Sequence, residues 1–125
     1  MQADARKIIQ ARKLVGELLR GALAGKITPL EASSRFPKDI EDKSIDTAFH
    51  ALMHFEADED LRAQDTLYAQ EQDEYLETIS NILISGESIP RNIIAEYNEY
   101  YSGSPVYRVE NRESFFKKMC RLINM

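Results

Sequence analysis

Apolar residues return at three- and four-residue intervals through most of this chain, the period that lays a buried stripe along an α-helix. Ile8, Ala11, Val15, Leu18, Leu19 and Ala22 predict a first helix over about Ala3 to Ala24, with Arg6, Lys13 and Arg20 on its opposite face. Gly25 supplies a stop. Thr28-Pro29-Leu30-Glu31 is a restart, with Thr as N-cap, Pro at the first helical position and Glu at the capping-box position. That second helix is short and ends near Phe36, because Pro37 disfavours helical geometry in the residue before it.

Ser44 is the expected cap of a third helix reaching about Arg62, with Ile45, Ala48, Phe49, Leu52 and Phe55 inward. Asp65 caps a fourth, which carries Tyr68, Gln72, Tyr75, Ile79, Ile82 and Leu83 on one side and Gln70, Glu74, Glu77 and Asn81 on the other, closed by Gly86. Pro90 opens a fifth with the stripe Ile93, Ile94, Tyr97 and Tyr101, and Ser102-Gly103-Ser104-Pro105 breaks it. Val106 to Val109 is the only strand-like piece. Asn111 precedes a last helix with Phe115, Phe116, Met119, Leu122 and Ile123 inward and Lys117, Lys118 and Arg121 outward. No internal repeat interrupts this order.

Short connections between amphipathic helices favour one all-α domain over residues 1–125, an antiparallel helical bundle of three to four long helices plus one or two short ones. The third and fourth helices, joined by a few residues around Ala63 and Gln64, are expected to form its central hairpin.

The 125 residues suffice for one hydrophobic core, and five Gly and four Pro give little support to disorder. The apolar runs fall well short of the roughly 20 residues that span a bilayer, and Met1 leads into Gln-Ala-Asp-Ala rather than a secretory signal, so a cytoplasmic location with no membrane partner is expected. Cys120 is the single cysteine, which excludes an intramolecular disulfide and a CxxC pair and reads as a small core residue.

Charge changes the picture more than composition does. Residues 1–26 are basic, with Arg6, Lys7, Arg12, Lys13, Arg20 and Lys26 against Asp4 and Glu17. Residues 56–77 reverse the sign: Glu56, Asp58, Glu59, Asp60, Asp65, Glu71, Asp73, Glu74 and Glu77 face Arg62 alone. Residues 108–125 are basic again. The overall charge of -5 and a pI near 5.1 oppose a general nucleic-acid binder, even though the end helices carry outward Arg and Lys.

His50, His54 and Asp58, spaced by four, fall along one side of a helix, where two imidazoles and a carboxylate can chelate zinc or nickel. The plainer reading is a solvated flank, and no cofactor is expected. Glu56 and Glu59 project toward the side of Ile45 and Leu52, so they are exposed at a helix end or paired with a base. HExxH, a phosphate-binding Gly-rich loop and Gly-x-Ser-x-Gly are absent, and no catalytic residue is assigned.

The acidic band itself is either a solvated face or a surface that steers a basic protein partner. Asp58, Glu59, Asp60, Glu74 and Glu77 are the candidate partner-binding acids, and Tyr100 and Tyr107 the tyrosines free of the apolar stripes. The alternatives are a small metal-binding enzyme or regulator using His50, His54 and Asp58, and a helical scaffold or homodimer built on the Tyr-rich fifth helix.

The segment from Ser44 to Gly86 resembles a recurring type of small bacterial helical protein. The resemblance is carried by Ala51-Leu52-Met53-His54-Phe55, Asp58-Glu59-Asp60-Leu61-Arg62, Asp65, Tyr68 and the helix ending Leu83 to Gly86. In size and charge the chain is also similar to the immunity proteins that bacteria make against toxins. This second resemblance implies stoichiometric binding of a basic, nuclease-like toxin domain, not an enzyme, and transfers no contact residue.

Overall fold

The computed structural model describes residues 2–95, with side chains from residue 5 onward. All the regular elements among them are helices: α1 (Gln2–Leu23), α2 (Pro29–Ser34), α3 (Lys43–Ala57), α4 (Glu59–Gln64) and α5 (Thr66–Ile84), followed by helical residues 91–95. Three of the five are long, at 22, 15 and 19 residues, and α2 and α4 have 6 each. The expected helix beyond residue 95, the strand-like Val106 to Val109, the last helix, Tyr100, Tyr107 and Cys120 lie outside the described residues.

Local chemistry sets most of the boundaries. α1 buries Ala11, Val15, Leu18, Leu19 and Ala22 and ends where Gly25 adopts a φ of 75°. The Gly25 N–H donates to the Ala22 carbonyl at 3.1 Å and the Lys26 N–H to the Gly21 carbonyl at 2.9 Å, which satisfies carbonyls that would otherwise have no helical donor. α5 closes in the same way around Gly86, at a φ of 87°. Thr28 Oγ1 accepts from the Glu31 N–H at 3.0 Å at the start of α2, while the Glu31 carboxylate turns to Arg35 at 2.8 Å. Asp65 caps α5 by accepting from the Tyr68 N–H at 3.0 Å.

The third expected helix differs in three respects. Its cap is Asp42, which accepts from the Ile45 N–H at 3.3 Å; Ser44 is buried, and its hydroxyl accepts from the Ile89 N–H at 2.9 Å. The helix does not run through to Arg62, because Asp58, with φ -90° and ψ 12°, ends α3 and starts α4. Phe49, expected inward, stays 37% exposed and packs edge-on against Phe36 at 5.8 Å, whereas Ala51 joins the core.

The most extensive helix pairing is α1 with α5, not the hairpin expected between the third and fourth helices. They run antiparallel: a Cβ on Gly86 would touch Ile9, one on Gly16 would touch Ser80 and Ile84, and Arg20 donates to Asn81 Oδ1 at 2.6 Å. Gly16 accounts for the closeness, since its missing side chain lets the two backbones approach. α2 and α3 pack together and onto α1, while α4 buries no residue fully and rests on α5. The centre of the core is formed by Val15, Leu19, Leu52, Tyr68, Tyr75, Leu76, Ile79 and Leu83, together with Ile89 and Ile93.

A further polar tie crosses this packing. The Arg12 guanidinium donates to both oxygens of the Asp42 carboxylate, at 2.8 and 3.1 Å, and to the Gly86 carbonyl at 3.2 Å. The residue that caps α3 thus also anchors α1, and the same guanidinium holds the C-terminal end of α5.

Candidate functional site

The acidic segment folds into the end of α3, all of α4 and the first three turns of α5, and its carboxylates separate into inner and outer groups. Asp58 belongs to the inner group. It is half-buried at the helix break, and its Oδ2 accepts from the Tyr68 hydroxyl at 2.5 Å and from Gln72 Nε2 at 3.3 Å. Both donors come from α5, one turn apart, so α5 fixes the corner at which α3 gives way to α4.

Arg62, the one base in the segment, also faces inward. Its guanidinium lies 3.6 Å from the centre of the Phe55 ring, donates to the Phe55 carbonyl and donates to Gln72 Oε1 at 3.2 Å. Gln72 therefore joins Asp58 to Arg62 through the two ends of its amide. Glu71, one position earlier, is also buried. The sequence offered a signal for this burial, because Glu71 lies three residues after Tyr68 and four before Tyr75, on their side of the helix.

Glu59 and Asp60 are exposed in the first turn of α4, where the positive end of a helix favours carboxylates. Glu74 and Glu77 are exposed on α5, as the helical projection requires. Asp73 is exposed beside the outer set, yet its carboxyl is raised above its ordinary value of 3.8. Desolvation is the main cause, Arg62 opposes it, and the neighbouring Glu77 charge adds to it. Glu56 is half-buried; with Glu59, Phe55 and Arg62 it lines a cavity of about 360 Å³ whose far wall is the turn from Lys26 to Pro29.

His50, His54 and Asp58 do not together form a three-ligand group among the described residues. His50 is exposed and packs edge-on against Phe49 at 5.7 Å, His54 is half-buried, and Asp58 is turned to Tyr68 and Gln72. Among the described residues no three His, Cys, Asp or Glu side chains lie together in a way that would hold a metal ion. Of the basic residues on α1, Arg6 and Lys13 are exposed and Arg20 is bonded to Asn81; Lys117, Lys118 and Arg121 lie outside the described residues. Among the described residues no helix is long and apolar enough to cross a membrane.

The arrangement presents carboxylates that can accept charge-assisted hydrogen bonds from lysine or arginine, on helices fixed from beneath by the Asp58, Tyr68, Gln72 and Arg62 network. No protein-family model matches the chain, and no curated protein or solved structure shows significant similarity to it.

Proposed function

We propose that this chain is a stoichiometric protein-binding protein, an immunity protein that neutralises a basic, nuclease-like bacterial toxin in the cytoplasm through its acidic helical surface. The observation that carries the reading is the division of charge within residues 56–77: Glu59, Asp60, Glu74 and Glu77 are exposed, while Arg62 is held against Phe55 and Gln72. Arg62 is half-buried and its guanidinium is already engaged by Phe55 and Gln72, which leaves it less available to compete for these acids. A field of one sign there attracts a basic partner and excludes acidic ones. On this reading the helices form an antiparallel bundle, and Tyr100 and Tyr107 add contact area.

The test is association kinetics with a basic protein encoded beside this chain. Reversing Asp60, Glu74 and Glu77 together to lysine is expected to slow association by roughly tenfold or more at low salt, and to flatten its salt dependence, with a smaller effect on dissociation. Unchanged association at low salt would remove the acidic face from the interface.

A further inference from the structure

The chain is acidic overall, yet one cavity has a lining of the opposite sign. It lies between the N-terminal half of α3 and the helical residues 91–95, has a volume of about 670 Å³, and is bounded by Lys43, Asp46, Thr47 and His50 on one side and by Arg91 and Ile94 on the other. The α3 residues are three and four positions apart, so one helical face delivers all of them to the opening.

Two cations, unpaired among the described residues, and a partly buried floor meet in this cavity. Arg12, Arg20, Arg35 and Arg62 each use their guanidinium on a named acceptor. Neither Lys43 nor Arg91 has an ion pair among the described residues, and both face the same space. The floor beside them is made of buried side chains, since Thr47 is 2% and Ile94 8% exposed. An open cleft of this size, with an apolar wall and a few polar groups around it, has the form of a small-molecule site.

A guanidinium fork and an ammonium are the donors that match the oxygens of a phosphate, and a neighbouring imidazole adds a further donor. Among the described residues Asp46 is the only carboxylate on the lining, set against the two cations Lys43 and Arg91. We infer that this cavity binds a small phosphate ester, with the phosphate held by Lys43, Arg91 and His50 and the organic part lying against Ile94. The site is built from α3 and residues 91–95, apart from the acidic face of α4 and α5, and does not depend on the immunity reading.

Calorimetric titration of the full chain with inorganic phosphate and with phenyl phosphate tests it. Both ligands are expected to saturate one site, phenyl phosphate more tightly. The double substitution Lys43→Gln and Arg91→Gln weakens binding by about tenfold for each charge-assisted hydrogen bond removed. Asp46→Asn, which removes the one opposing charge, tightens it, and Lys7→Gln, on an exposed position of α1 away from the cavity, leaves it unchanged. The inference is overturned by an absence of saturable binding, by equal loss in Lys7→Gln, by weakening in Asp46→Asn, or by phenyl phosphate binding no better than phosphate. All four residues are exposed, so the melting temperature of each variant is expected to match the parent, and Asp46→Asn keeps the test open should the double variant not fold.

Discussion

Replacing Gly16 by alanine adds a single methyl group at the point where α1 and α5 come closest. A Cβ there would stand 2.7 Å from Ile84 Cγ1, 2.8 Å from the Ile84 nitrogen and 2.8 Å from the Ser80 carbonyl oxygen. Two of those three atoms are backbone, so a change of rotamer does not relieve the contact and the helices must separate. Overpacking of this kind costs about 1–3 kcal/mol, against which alanine returns up to about 1 kcal/mol of helix propensity. The same substitution at Gly21 is the internal control, because its nearest neighbours are side-chain atoms of Ile27 at 3.5 and 3.6 Å, ordinary contact distances. Gly21→Ala keeps the propensity gain without the clash. Thermal and urea unfolding of the two variants should therefore move in opposite directions, with Gly16→Ala lower by several degrees at roughly 4 °C per kcal/mol and Gly21→Ala equal to the parent or higher. If Gly16→Ala is as stable as Gly21→Ala, the close antiparallel approach of α1 and α5 is wrong.

Arg12→Ala removes a partly buried guanidinium from both Asp42 and the Gly86 carbonyl; a loss of about 1–3 kcal/mol in urea unfolding is expected, and a change inside the error of the measurement would contradict the tie. Tyr68→Phe deletes only the hydroxyl that reaches Asp58. It should cost about 1–2 kcal/mol while leaving far-UV circular dichroism unchanged, and a gain in stability would show that the hydrogen bond contributes nothing. Asp73 carries a carboxyl raised above 3.8 by desolvation, so folding favours its protonated form. Its contribution is fully present below the unfolded carboxylate range and is lost as pH rises through the raised value, so the charged form is a penalty at neutral pH. Asp73→Asn is expected to stabilise the protein at pH 7 and to make no difference below about pH 3.5, near the bottom of the ordinary carboxylate range; a stability difference that does not vary with pH would refute the shift.

The parts of this fold that are legible in the sequence are those written in neighbouring residues. Thr28, Asp65, Gly25 and Gly86 announce helix ends because a cap needs only a side chain or a left-handed backbone within a few positions. The α1 stripe and the outward direction of Glu74 and Glu77 follow from period alone. The misplaced cap at Ser44 has a different cause. Asp42 and Ser44 are both good cap residues two positions apart, and the choice turns on Ile89, which takes the Ser44 hydroxyl from 45 residues away. The break at Asp58 is hidden for the same reason, since helical period continues through it and the donors that hold it belong to α5. Phe49 reads as core by spacing, but its partners Phe36 and His50 place it at the rim. At the candidate site, the sequence marked the outer acids and, through the spacing of Glu71 to Tyr68 and Tyr75, one inner acid, whereas the packing of Arg62 onto Phe55 and Gln72 depends on how α4 meets α5.

The tie between Arg12 and Gly86 also governs the order in which the chain can fold. Those residues are 74 positions apart, and α1 finds its main partner only in α5. A helical protein is usually rich in local contacts and folds fast; here the first helix made meets its main partner last. At about 5–20 residues per second of synthesis, Val15, Leu18 and Leu19 wait roughly 3–14 s for the end of α5 to be made. α2 and α3 are the only partners available to that stripe in the interval, so their packing onto α1 shields a nascent chain before it stabilises a finished one.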